Sequence, residues 1–364
     1  VVAYWTDDGI VFHNFATGVR VAGEALTIGL LDYFSSWKRA AALAERSTIP
    51  PAVVRRAIRR LHEQTFLQRS DRPPHHREAA METWRSWNPA AGLFHFTTKD
   101  VRFADFDASN QWVAERARTE PPPAPASTHA AGASLRLPPS RVKGSLHRAL
   151  VQRRTWRRFG KGPLAKADLA TLLDLTFGVR HWFDLGEASP AMLRTSPSAG
   201  ARNPLECYAM VRRVRGLRPG IYHYSPTEHS LALQARKARA FGEYLPGQAW
   251  YSEASILLVL TAVFERSQWK YPFARAYRTV LLEAGHFAQT FCLVATALGL
   301  APFCTAALAD TLIERDLAID GVTESAVYAC GVGTRPPGAS WAPWPDGRAV
   351  PRLVPARPAR RRTR

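Results

Sequence analysis

The chain has 364 residues, of which 46% are hydrophobic, 22% charged and 10% aromatic. That composition excludes a wholly disordered or collagen-like chain, and the length suits about two domains. The formal charge is +19, but residues 348–364 hold seven arginines and no acid, so the other 347 residues carry +12. Arginine outnumbers lysine 42 to 7, a bias that weakens any step from net charge to a nucleic-acid partner. No uninterrupted apolar run reaches the roughly 18 residues that cross a bilayer, so no membrane span is expected. Residues 1–14 lack the basic-then-apolar order of a secretory signal. The four cysteines, Cys207, Cys292, Cys304 and Cys330, form no C-x-x-C pair. A zinc cage or disulfide framework is not expected, and a cytoplasmic location is.

Residues 117–140 contain six prolines and little apolar periodicity, the mark of an extended linker with a domain on either side. The expected division is a first domain over 1–115, a linker over 116–140, a larger domain over 141–340 and a basic, disordered tail over 341–364.

In the first domain, Asp8-Gly9 and Thr17-Gly18 punctuate short apolar runs and predict a pair of β-strands with tight turns. Residues 26–34 and 40–45 read as helices. Thr48, ahead of Pro50 and Pro51, predicts a hydroxyl-capped helix entry with proline in the first turn. The helix that follows has an apolar stripe of Val54, Ile58 and Leu61, with Arg55, Arg56, Arg59 and Arg60 on the other faces. Strand, helix, helix and strand in about 70 residues is a winged-helix outline. The basic face admits two readings, a DNA recognition helix or a solvated face on a domain that binds peptide or merely packs. Four arginines without Asn, Gln or Ser at base-reading positions meet phosphates and little more, which favours the second.

The larger domain alternates helices and strands, an α+β pattern. Residues 169–177 and 277–300 read as helices, and 205–211, 256–264 and 326–332 as strands. Residues 255–264 are apolar on both faces, as an interior strand covered by helices would be. Neither a P-loop nor a G-x-G-x-x-G is present in this domain.

Four stretches of this domain carry chemistry. Arg153, Arg154, Thr155 and Arg157 cluster guanidinium groups around a hydroxyl, a set that binds phosphate by charge-assisted hydrogen bonds or simply ends a basic helix. Residues 194–204, RTSPSAGARNP, combine small residues that let backbone approach a flat ligand with polar groups at Ser198 and Arg202. Taken alone, they also read as a plain loop. Lys270 beside Tyr271 supplies an acid, a base or an electrostatic anchor if burial shifts either group, and without that is structural. Near Cys304, Thr305 and Ala306 a segment of small residues follows a helix that ends at Gly299. His286 has no second ligand arranged to make a metal site.

The order and spacing of these four stretches resemble the nitroreductase-like flavoproteins and, more closely, the SagB-type (McbC-like) dehydrogenases, which oxidise azolines to azoles in modified peptides. The resemblance covers most of residues 145–335, and its most specific parts are SPSAGARNPLECY, PGIYHYSP, the Lys270-Tyr271 pair and YRTVLLEAGH. It implies an α+β fold in which a nitroreductase-like FMN-binding domain follows a small winged-helix-like domain. It also implies a homodimer with the flavin at the subunit interface. By position, Arg153, Arg154, Thr155 and Arg157 would hold the phosphate and ribityl chain, with Arg335 as a further phosphate ligand. Pro197, Ser198, Ala199, Gly200 and Arg202 would line the flavin, and Thr305 and Ala306 would approach its redox face. Lys270 and Tyr271 would be catalytic, although the sequence leaves open which of them is the base.

The implied substrate is a thiazoline- or oxazoline-containing peptide, with a cyclodehydratase as partner and a peptide-binding role for the first domain. SPSAGARNP departs from common nitroreductases, which favours this branch over a nitroarene reductase. The alternatives are an NAD(P)H-dependent nitroreductase or flavin reductase, and a winged-helix DNA-binding regulator with a flavin-sensing domain.

Overall fold

The computed structural model describes residues 1–46, 48–87, 89–100, 105–119, 144–184, 191–342, 344–346 and 348. The expected linker beyond Thr119, and the basic tail apart from its first few residues, lie outside the described residues.

The chain opens with three antiparallel strands, β1 (Val2–Thr6), β2 (Gly9–Asn14) and β3 (Val19–Ala22), where the sequence predicts two. Helices α1 (Ala25–Tyr33), α2 (Ala40–Arg46) and α3 (Pro51–Glu63) follow. The predicted stripe of α3 points inward, and Val54 and Leu61 join Leu30 and Phe66 in a small core that Phe12, Val19, Val21 and Ile58 close. Pro50, not Thr48, is the N-cap of α3, and no side chain caps it; Pro51 occupies the first turn. The first amides of such a turn include one that proline lacks anyway, which lets the helix start without the predicted hydroxyl. Among the described residues no strand follows α3 within the first domain, so the sheet stands wholly before the helices.

Next come α4 (His76–Ala80), a 3₁₀ turn over Met81–Trp84, α5 (Ala90–Thr97) and α6 (Phe106–Thr119), the last ending inside the stretch expected to be linker. Trp84 and Trp87 are fully buried, in the core of the larger unit and not in the small N-terminal one.

That larger unit holds α7 (Ser145–Gln152), α8 (Lys166–Phe177), a hairpin of β4 (Val179–Phe183) and β5 (Ala191–Arg194), then β6 (Leu205–Val211), β7 (Gly220–Ser225) and β8 (Ser230–Ala235). It continues with α9 (Phe241–Tyr244), β9 (Ile256–Val263), α10 (Phe264–Gln268), α11 (Ala276–Ala297), β10 (Ala301–Thr305), α12 (Asp310–Leu317) and β11 (Glu324–Gly333). Six strands form one antiparallel sheet in the order β10-β11-β9-β6-β7-β8.

Strand side chains alternate between faces, and both faces of this sheet are covered. Leu258, Leu260 and Ala262 of β9, with Cys207 and Ala209 of β6, pack with α8 and α11, while Leu257, Val259, Tyr208 and Met210 pack with α9 and α12. The apolar run over β9 is therefore an interior strand, as its sequence predicts. Helix α11 has 22 residues and matches a membrane-crossing helix in length and composition, yet Val280, Ala284, Phe287 and Phe291 are buried against the sheet.

Candidate functional site

Strand β5 delivers the chain into a turn whose backbone is unusual at three positions. Gly200, Ala201 and Asn203 have φ of 60°, 54° and 48°, the left-handed region that costs an ordinary residue roughly 1–2 kcal/mol. Asn203 is buried and its side chain offsets that cost locally: Nδ2 donates to the carbonyls of Met192 at 2.9 Å and Ala201 at 3.0 Å. Its main-chain N–H donates to Ser198 Oγ at 2.9 Å. Below the turn, Ser196 Oγ meets Thr290 Oγ1 of α11 at 2.8 Å.

Close approach and φ both favour glycine at position 200. A Cβ there would lie 2.5 Å from the Tyr271 hydroxyl and 3.0 Å from Lys270 Nζ. The structure thus brings Lys270 and Tyr271 onto the Ser198–Gly200 turn, although about 70 residues separate them in sequence. The pair sits in an irregular segment between α10 and α11 that hydrogen bonds hold at both ends. Tyr271 N–H donates to Ser267 O at 3.0 Å, and Tyr271 O accepts from Phe273 N–H at 2.8 Å and from the Trp87 indole at 3.1 Å. Beside them the Arg202 guanidinium lies 5.1 Å from the centre of the Trp269 ring, which is 63% exposed. Pro197 is exposed, and Ser198, Ala199 and Arg202 are half-buried.

Buried charges stand behind the turn. Glu283 of α11 is only 2% exposed, and burial pushes its carboxyl up to about 7, with Ser198, Arg194 and the Ala199 amide partly opposing the rise. Burial likewise lowers the Arg194 guanidinium, which lies 5.7 Å from the Phe287 ring. Burial alone would raise the Glu206 carboxyl. His223, whose Nε2 is 2.7 Å away, and Arg266, at 2.5 Å, outweigh it and hold that carboxyl low. Arg194, Glu206, His223 and Glu283 all lie inside the stretches that the sequence marks out, but sequence reasoning gives none of them a role. The signal for Glu283 is a charged residue at a core-facing helical position, between Val280 and Phe287.

The arginine-rich stretch lies elsewhere, along β10. Trp156 N–H donates to Pro302 O at 2.9 Å, and Arg335 Nε donates to Leu300 O at 3.0 Å with its guanidinium 5.1 Å from the Trp156 ring. Arg153 ends α7 and acts on Cys292 and Cys304, where the Cys292 thiol donates to Cys304 and holds the Cys304 thiol low. Arg157 faces Tyr251. Arg154 turns back onto the carbonyls of Val151 and Arg153, at 2.9 and 2.7 Å, and the Trp341 indole donates to Thr155 O at 2.9 Å. Thr305 closes β10, and the exposed Ala306 follows it. Three arginines around one strand are a donor set that suits a phosphate, and the half-buried Ser198, Ala199 and Arg202 offer small and polar groups to the edge of a flat ring, so the residues present fit FMN.

Within one chain the two groups do not meet. The turn packs at Glu283 and Arg153 acts at Cys292, nine positions further along α11. At about 100° per residue these positions lie on opposite sides of the helix. The exposed face of α11 carries Leu281 and Leu282, and α7, which packs on α11, exposes Leu146, Leu150 and Val151. Among the described residues there is no cluster of three or more His, Cys, Asp or Glu side chains able to hold a metal.

An antiparallel sheet with helices on both faces, arginines along its edge strand and a glycine turn against a lysine–tyrosine pair make up an α+β scaffold. Residues 150–334 match the model of the Nitroreductase family, and the chain belongs to that family, whose members typically bind flavin. A protein of Methanocaldococcus jannaschii whose name places it among nitroreductases, MJ1384, is 34% identical over 176 residues, 48% of this chain and 84% of that protein. The trifolitoxin-processing protein TfxB of Rhizobium leguminosarum bv. trifolii is 31% identical over 139 residues, 36% of this chain and 37% of TfxB. A chain of the E. coli microcin synthetase McbBCD complex, with truncated pro-MccB17 bound, shares the fold. The TM-score is 0.52 at 20% identity, covering 70% of this chain and 96% of that one.

Proposed function

We propose that the protein is an FMN-dependent dehydrogenase that oxidises thiazoline or oxazoline rings to thiazole or oxazole in a peptide natural-product precursor. The observation that carries this reading is the approach of Lys270 and Tyr271 to the Gly200 turn. The sequence likeness to TfxB, a toxin-processing protein, supports a peptide substrate.

Conversion of azoline to azole removes two electrons and two protons. FMN, when bound, supplies the acceptor for a hydride. The ring proton next to the imine and carbonyl is already acidified, and Lys270 or Tyr271 takes it as general base, a role worth roughly a hundredfold to ten-thousandfold in rate. A lysine that instead stays protonated stabilises developing negative charge by about 4 kcal/mol at 4 Å in an effective dielectric near 20, before desolvation is subtracted. Arg153, Arg157 and Arg335 bind the phosphate, and Ser198, Gly200 and Arg202 bound the ring.

Because the two groups sit on opposite sides of α11, a homodimer completes the site. The exposed Leu146, Leu150, Val151 and Leu282 supply an apolar surface for it. The N-terminal unit, whose sheet precedes its helices and so departs from the expected winged-helix outline, holds the peptide. Its support is a cavity of about 930 Å³ lined by Phe34, Trp37, Lys38, Arg55, Ile58 and Arg59. Two of the four arginines of the α3 basic face thus border a concave site.

Purified protein should be yellow and should release FMN by mass. Lys270→Ala and Tyr271→Ala should keep the colour and abolish azole formation; unchanged turnover would remove the pair from the mechanism. The likeness to MJ1384 favours one second reading, an NAD(P)H-dependent nitroreductase or flavin reductase. Rapid bleaching of the flavin by NADPH would select that reading.

A further inference from the structure

Trp87 belongs to the N-terminal half of the sequence, yet it is fully buried in the core of the larger unit. Its ring stands edge-on to Trp84, Tyr277 and Phe264, at 5.7, 5.9 and 6.1 Å between centres. Its single polar atom, Nε1, donates at 3.1 Å to the carbonyl of Tyr271. The segment holding Lys270 and Tyr271 is neither helix nor strand, so side-chain and turn hydrogen bonds fix its shape. Trp84 makes the parallel contact one turn earlier, but to Val322 O at 2.8 Å, far along the chain from the pair.

The stretch that carries Trp87 is itself anchored at both ends. On one side Glu78 accepts from Asn14 at 2.5 Å and from Gln68 at 2.6 Å, within the N-terminal unit. On the other side His95 meets the Tyr277 hydroxyl at 2.8 Å, and Lys99 and Glu314 form an ion pair at 2.6 Å whose side chains are 9% and 6% exposed. The same Glu78, with Met81, lines the N-terminal cavity. A continuous, anchored stretch of about ten residues therefore runs from the cavity wall to the Tyr271 carbonyl.

We propose that Trp87 is a positioning residue for the Lys270–Tyr271 pair, through which the N-terminal unit sets the geometry of the site. The proposal rests on the reading that this pair does the chemistry, but its structural part is testable without substrate or flavin. The indole bond holds the Tyr271 carbonyl, and through it the peptide plane that aims the phenol at Gly200. Loss of one such bond loosens the segment by about tenfold in its local opening equilibrium.

The test is hydrogen exchange, followed by mass spectrometry, in the full-length protein carrying Trp87→Phe or Trp84→Phe. Trp87→Phe should speed exchange over residues 269–275 about tenfold and leave residues 320–324 as in the wild type; Trp84→Phe should do the reverse. If Trp87→Phe fails to fold, benzothienylalanine at position 87 keeps both rings and lacks only the N–H. Unchanged exchange over 269–275, or an equal rise in Trp84→Phe, would overturn the assignment. Turnover separates the two levels of the argument. Trp87→Phe should lower kcat for azole formation about tenfold with KM and flavin content unchanged. A wild-type protein that forms no azole sinks the oxidase reading, while the exchange data still decide the role of Trp87.

Discussion

Glu283 offers a quantitative test of the buried architecture behind the Ser198–Gly200 turn. Its carboxyl rises from the ordinary 4.5 to about 7 because it is buried, and Ser198, Arg194 and the Ala199 amide only partly oppose the rise. The folded protein therefore binds this proton more tightly than the unfolded chain does. Stability from this group is fully present below pH 4.5, declines as pH rises from 4.5 to 7, and is absent above. At about 1.4 kcal/mol per tenfold in proton affinity, the loss across that window is about 3 kcal/mol.

Glu283→Gln removes the titration and keeps the shape. Urea unfolding of wild type and Glu283→Gln at pH 5 and pH 8 should give a stability difference, wild type minus variant, that falls by about 2–3 kcal/mol between the two. Other groups titrate in the same window, including Asp310, raised by burial to about 6, and His223, raised by its hydrogen bond to Glu206. They are present in both proteins and cancel in the difference. A difference flat to within about 0.5 kcal/mol would mean that the turn and Arg194 fully compensate the buried carboxylate, and the electrostatic account of the turn would fall.

Two further substitutions probe the site itself. Gly200→Ala places a methyl 2.5 Å from the Tyr271 hydroxyl and 2.8 Å from Lys270 Cδ, both at or near the ends of mobile side chains. The fold should survive with a loss of about 1–2 kcal/mol from the left-handed backbone, whereas azole formation should fall by about two orders of magnitude as the pair is displaced. Thermal melts with parallel turnover measurements check this, and a variant as active as wild type refutes it. Leu282→Glu puts a charge on the apolar face of α11, where Leu282 is 62% exposed. Light scattering should report monomers and absorbance should report lost flavin, together; a monomer that keeps its flavin would place the whole site in one chain.

The strong local signals in the sequence became the scaffold. The i, i+4, i+7 stripe of α3 and the apolar run of β9 are patterns that the local sequence carries by itself. Strand β10 did not announce itself, because it is five residues long and contains Pro302. Proline is tolerated there because β10 is an edge strand, whose outer backbone groups need no partner. Thr48 failed as a cap for an equally local reason, since Pro50 already ends the preceding chain in an extended conformation. Trp84 and Trp87 were illegible in principle. Their partners, Val322 and Tyr271, lie 238 and 184 residues away, and no local pattern encodes such a contact.

The motifs expected at one flavin were each legible in sequence, yet their meeting was not, because helix α11 stands between them. Glu283 and Cys292 mark its two sides, and its wall of Phe287 and Phe291 is filled. Under the proposed dimer, the arginines of one copy and the glycine turn of the other share a cofactor, and this has a thermodynamic consequence. A ligand that binds only the assembled interface stabilises the dimer by mass action, and the dimer in turn raises the apparent affinity for the ligand. At a fixed concentration of free FMN, bound flavin per chain should therefore fall as the protein is diluted, a dependence that a site built within one chain does not show.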